Sequence, residues 1–169
     1  LSDEMDELNH HVFVYMKDTD ETQVEASKFY LLVQDSLHDI VQSLTLISKK
    51  SYKHVKNGHR GLTYSQIKDL KHVEERLVQL FQKIKGEFDN GSLENLAGII
   101  DEKQDFLDYI SEEIEKQIQR TKEGESSPRN NSLFFTILLE CKDLVESTTT
   151  LLEHYYAEND KVTKANTIL

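Results

Sequence analysis

Tryptophan is missing from this 169-residue chain, cysteine and proline occur once each, and glycine occurs six times. Each shortage closes a class of structure. With Cys141 alone no intrachain disulfide can form, which fits a reducing compartment. Sheets and their tight turns need more β-branched clusters and more Gly or Pro punctuation, so long helices are favoured. No run of 18 apolar residues exists, so no direct membrane insertion is expected, and no secretory signal precedes the first helix. The chain opens on Leu1 rather than Met, from which a fragment of a longer polypeptide is expected. Basic residues are outnumbered, 20 against 31 acids, for a formal net charge of −11. Such a surface repels nucleic acid and anionic lipid and attracts cations, so no nucleic-acid partner is expected.

What is present describes a helical domain. Hydrophobic residues at 37% are too many for a disordered chain, and the length suits one domain with its own core. Met5, Leu8, Val12 and Tyr15 recur at three- and four-residue steps and predict a helix over 3–16, broken at Lys17-Asp18-Thr19-Asp20. A capping box at Thr22 and Glu25 opens a second helix over 22–57, whose seam is Phe29, Val33, Leu37, Ile40, Leu44 and Ile47. Asn57-Gly58 and Gly61 end it. Thr63 and Gln66 form another box, opening a helix over 63–87 with Ile67, Leu70, Leu77, Phe81 and Ile84 inward. The turn Asp89-Asn90-Gly91-Ser92 leads to a helix over 93–122 carrying Leu93, Leu96, Ile100, Leu107, Ile110 and Ile114. After the loop Gly124 to Pro128, Ser127-Pro128 starts the last helix, over 129–157, because Pro lacks only an N–H that is unpaired there anyway. The polar tail 158–169 is expected to fray. Five helices with short connections predict an all-α antiparallel bundle, one domain over 1–169.

A weak internal repeat runs through it. DIVQSLTLI (39–47) aligns with DLVESTTTL (143–151), with Asp, Val, Ser and Thr shared. It divides the domain into a first half of about 1–57 and a second of about 63–157.

The stretch DSLHDIVQSLTLI (35–47) holds the main candidate chemistry. Asp35 and Asp39 are one helical turn apart and, on a wheel of about 100° per residue, fall opposite the apolar seam. They form either a solvated face or, with ligands from a neighbouring helix, a site for a hard cation such as Mg²⁺, Mn²⁺ or Fe. In the second copy Asp143 stands where Asp39 does. Leu139 replaces Asp35, and Glu140 is one position off, about 100° further round. Glu7/His10, Asp35/His38 and Asp69/His72 also have the i, i+3 spacing of a ferritin-like di-iron centre, an alternative that needs them to converge inside the bundle. His54, Asn57, His59 and Arg60 crowd a helix C-terminus, where cations complement the dipole. The second reading there is a phosphate or partner contact by His59 and Arg60. Cys141 reads as a buried structural thiol, and no nucleophile elbow, phosphate-cradling loop or zinc-type cluster occurs. No enzymatic activity is expected.

The paired half-repeats, each with an acidic motif on a long helix, resemble PhoU-like domains. YLLVQDSLHDIVQSLTLISKKSYKHVKNGHRGL (30–62) looks like the C-terminal cytoplasmic PhoU-like region of bacterial sodium/phosphate cotransporters. The resemblance is best over 24–82 and weaker over 92–157. It implies two related helical halves and a regulatory role in phosphate uptake, with metal or phosphate sensing. It places the domain on the cytoplasmic side of the inner membrane, beside a transport domain upstream in the same polypeptide, and allows a homodimer. Its Glu/Asp-x-x-x-Asp metal motif is matched by Asp35 and Asp39, and its final acid by Asp143. Glu140 and His38 rank second as ligands, for a divalent or trivalent ion (Fe, Mn, Mg or Zn). Ser36-Leu37-His38 stands where the family often has Arg-Ile-Gly, and the first half is one helix short. A purely structural helical interaction module is the blander alternative.

Overall fold

The computed structural model describes residues 2–17, 24–91 and 95–167. They form five helices: α1 (Ser2–Lys17), α2 (Val24–Lys56), α3 (Tyr64–Asn90), α4 (Leu96–Lys122) and α5 (Pro128–Thr167), with no strand among them. The fold is an all-α bundle, and none of these helices is long and apolar enough to cross a membrane.

Local signals set most of the boundaries. At α3, the Gln66 N–H donates to Thr63 Oγ1 at 3.3 Å while Gln66 Oε1 accepts from the Thr63 N–H at 3.0 Å, so the predicted capping box is closed. Gly58 follows α2 and Gly91 follows α3, each with φ of 63°, a left-handed stop that glycine adopts without strain. Pro128 opens α5, and Ser127 Oγ accepts from the Asn130 N–H at 3.2 Å. The expected Asp18-to-Asp20 break, the Thr22 cap, Ser92 and Leu93 lie outside the described residues. Two boundaries differ from expectation. α3 continues through Asp89 and Asn90, and the backbone of α5 stays helical to Thr167 instead of fraying past Glu158. No Gly or Pro follows Glu158 to stop it.

α5 is the central element. It packs against α2, α4 and α3, while α1 touches only α2 among the described residues. Sequential helices joined by short loops run antiparallel. Tyr15 of α1 meets Tyr30 of α2 edge-on at 5.3 Å, Arg120 of α4 binds Asp69 of α3 at 2.6 Å, and Gln117 of α4 binds Asn131 of α5 at 2.8 Å. α2 and α5 are also antiparallel. Phe29 packs on Tyr155 at one end, and His59, just after α2, meets Arg129 at the other.

The core lies between α3, α4 and α5. Phe134, Leu138, Cys141 and Val145 repeat at steps of four and three along α5 and meet Val73, Leu80 and Ile84 of α3 and Ile99, Phe106 and Ile110 of α4. Cys141 is buried here as expected, and burial first, then the nearby Glu140 carboxylate, pushes its thiol up to about 11.

Most of the predicted inward positions pack on the core, among them Ile47, Leu70, Leu77, Phe81, Ile84, Leu107, Ile110 and Ile114, but single positions of each seam turn out. Ile67 and Ile100 are exposed, while Gln66 and Ile99 beside them are fully buried; one residue is a 100° turn. In α2, Leu44 is 41% exposed, and the buried positions are Ser36, Ser43 and His54. Ser36 and Ser43 lie seven residues apart on one stripe, and their small side chains let α2 lie close along α5. Phe134→Ala should therefore cost about 3–5 kcal/mol in urea unfolding, while Leu44→Ala should cost well under about 1.5 kcal/mol; equal losses would overturn this assignment of faces.

Candidate functional site

The rotation of α2 decides where its acids go. With Ser36 and Ser43 turned to α5, Asp39 sits three residues from one and four from the other. That places it at the edge of the α2–α5 interface, although it stays exposed. Across from it on α5 are Glu140, Asp143 and Glu146. These four carboxylates, with Gln42, Ser43 and Ser147, line a groove of about 340 Å³. Three aligned positions of the repeat therefore line the same groove from the two antiparallel helices: Asp39 and Asp143, Gln42 and Glu146, Ser43 and Ser147. Antiparallel helices carrying the same motif are related by an approximate two-fold axis, and here it passes through the motif itself.

The groove is electrostatically uncompensated. None of its four carboxylates forms an ion pair among the described residues. Ser43, which also lines the groove, is only 4% exposed, and its hydroxyl has no hydrogen-bond partner among the described residues. As the side chains stand, no three His, Cys, Asp or Glu groups among the described residues converge tightly enough to hold a metal ion directly. What fits is a hydrated hard cation touching one or two carboxylates.

Of the five residues singled out from the sequence, the groove gathers Asp39, Asp143 and Glu140. Asp35 and His38 face away, lining a separate cleft with Asn9, Leu31, Leu32 and Gln34 on the α1 side. Asp35 and Asp39 therefore do not act on one point, because the interface edge runs between them. Glu146 was missed, although it occupies the position of Gln42 in the aligned repeat. The i, i+3 acid-histidine pairs stay outside the core. Glu7, His10, Asp35, His38 and His72 are exposed, Asp69 is held by Arg120, and His72 approaches Glu75 at 3.4 Å.

A second polar cluster lies where α2 ends and α5 begins. His54 is nine-tenths buried and its Nε2 donates to the Arg60 carbonyl at 3.1 Å. The His54 and His59 rings meet edge-on at 5.1 Å. Arg129 Nη1 donates to His59 Nδ1 at 2.9 Å, which requires that nitrogen to be unprotonated. Arg129 is thus the partner of His59, and 70 residues of chain separate them. No family model, curated protein or solved structure matches this chain.

Desolvation first, then the Arg129 and His54 charges, lower the pKa of His59 below its ordinary 6.5. The unfolded chain therefore binds a proton at this position before the folded one does. Stability linked to His59 is complete above pH 6.5 and declines as pH falls through the lowered folded value. In a series of melting curves across that range, His59→Gln should flatten this part of the decline. A pH profile unmoved by the substitution would refute the assignment.

Proposed function

We propose that this chain is a non-catalytic regulatory domain of the PhoU-like kind, the cytoplasmic part of a bacterial sodium-dependent phosphate transporter. It modulates uptake through helix-face contacts with the membrane transport domain. One observation carries the reading: the two copies of the acidic repeat meet at the middle of the α2–α5 interface and leave their carboxylates unpaired around one groove. Packing does not require those acids, since Asp39 and Asp143 are exposed. Their mutual repulsion costs stability until a cation enters. A hydrated divalent ion such as Mg²⁺ suits the groove, because it keeps several waters and needs only one or two carboxylates. Cation occupancy then draws α2 and α5 together at the groove and stiffens the pair that organises the bundle, a local change of the kind that a regulatory domain passes to a partner.

Two experiments test this. Equilibrium dialysis of the purified chain against Mg²⁺ or Mn²⁺, followed by metal analysis, should show bound ion in the wild type and in Asp35→Ala. The ion should be lost from the Asp39→Ala/Asp143→Ala double variant. Unchanged metal in that double variant removes the site, and loss in Asp35→Ala would favour the sequential Asp35/Asp39 pair instead. For the transporter assignment, the full-length gene should encode transmembrane helices upstream of Leu1; a gene without them sinks the assignment.

A further inference from the structure

The cluster at the junction of α2 and α5 opens into a cavity of about 370 Å³. Lys50, Lys53 and His54 of α2, His59 of the following turn and Arg129 of α5 all line it. The other polar lining groups are one amide, Asn57, and the hydroxyls of Ser132 and Thr136. No carboxylate lines it, in a chain whose acids outnumber its bases 31 to 20. The local excess of positive charge therefore runs against the composition of the whole molecule.

Helix dipoles explain part of it. Lys53 and His54 sit in the last turn of α2, where cations are favoured. Arg129 has no such explanation. It occupies the first turn of α5, beside the positive pole, where a cation is disfavoured. Neither it nor Lys50 nor Lys53 forms an ion pair with a carboxylate among the described residues. Arg129 instead donates to a neutral imidazole, and the Nδ1 of buried His54 has no hydrogen-bond partner among the described residues. Three segments thus hold donors and cations around a space with no counter-charge of their own.

We infer that this cavity binds a phosphate-type oxyanion, either free phosphate or the phosphate of a small phosphomonoester. Arg129 supplies a planar fork suited to two oxygens, and Lys50 and Lys53 supply point charges. Ser132 supplies a hydroxyl donor, while that of Thr136 is already given to the Ser132 carbonyl at 2.8 Å. The cavity lies at the small end of the usual range for small-molecule sites, roughly 300–1,000 Å³, so it leaves room for a short organic group. An arriving anion draws Arg129 off His59 and favours protonation of that imidazole. This site is distinct from the acidic groove and does not depend on it.

Isothermal titration of the purified chain at low ionic strength, with inorganic phosphate in one arm and glycerol phosphate in the other, tests the inference. Chloride at matched ionic strength is the control. Saturable one-site binding is expected in at least one arm. It should be weakened about tenfold or more in the Lys53→Gln/Arg129→Gln variant, since each charge-assisted bond is worth about 1.5–3 kcal/mol. Both substituted residues are exposed, so the variant should keep its helical circular dichroism and melting temperature. Asp39→Ala/Asp143→Ala should bind phosphate like the wild type, which separates failure of this site from failure of the cation groove. Heats no greater than those of chloride, or equal affinity in the Lys53/Arg129 variant, would overturn the inference.

Discussion

The close contact between α2 and α5 governs the rest of the molecule. α5 must satisfy two neighbours of opposite character. Toward α3 and α4 it presents Phe134, Leu138 and Val145, large side chains that fill an apolar core. Toward α2 it meets a stripe whose buried members are serines. Small residues gain little from their own burial, but they let two helices lie close together along their length. The hydroxyls of Thr148 and Thr149 are disposed of locally, donating to the carbonyls of Leu144 and Val145 at 2.7 and 2.8 Å. Ser43, at the groove, has no such outlet among the described residues.

The end of the bundle that holds the basic cavity is fixed by amides rather than by apolar side chains. Gln66 reaches Ser126 at 3.1 Å, Gln117 reaches Asn131 at 2.8 Å, and Asn130 donates to the Gly61 carbonyl at 2.7 Å. These bonds tie the starts of α3 and α5 to the end of α4 and to the turn after α2. A buried amide left without its partner is costly, so each bond also specifies register. Further along α4, Glu113 is almost fully buried beside Lys116 at 2.6 Å, and its second oxygen has no partner among the described residues. Burial first, then this same carboxylate, pushes the Tyr109 hydroxyl up to about 12.

How much of this could be read in the sequence depended on whether the signal was local. The Thr63/Gln66 box, the glycine stops and the Ser127-Pro128 start are contained within a few residues, and all hold. The rotation of each helix about its own axis is a tertiary property. In α2 the seam was legible at Phe29, Val33, Leu37, Ile40 and Ile47, which are half-buried, but Leu44 turns out while Ser36 and Ser43 turn in. Ser36 and Ser43 at heptad spacing were the available sign. Asp39 and Asp143 were found through the repeat, and the same alignment, read three residues further, points to Glu146. Arg129 had no comparable signal, since its pairing with His59 arises only when α2 and α5 lie antiparallel.

That antiparallel pairing also sets a distance. Arg129 and Asp143 stand 14 residues apart on one continuous helix, which at about 1.5 Å per residue is about 21 Å. The Debye length at physiological ionic strength is about 8 Å. Charges bound at the basic end and at the acidic middle are thus screened from one another, and the field of one ion does not reach the other. Any communication between them must be mechanical, a shift or roll of α5 as a rod beneath α2. The two ends of the pair mark where such a shift would be felt: the Phe29–Tyr155 contact at one and the His59–Arg129 bond at the other.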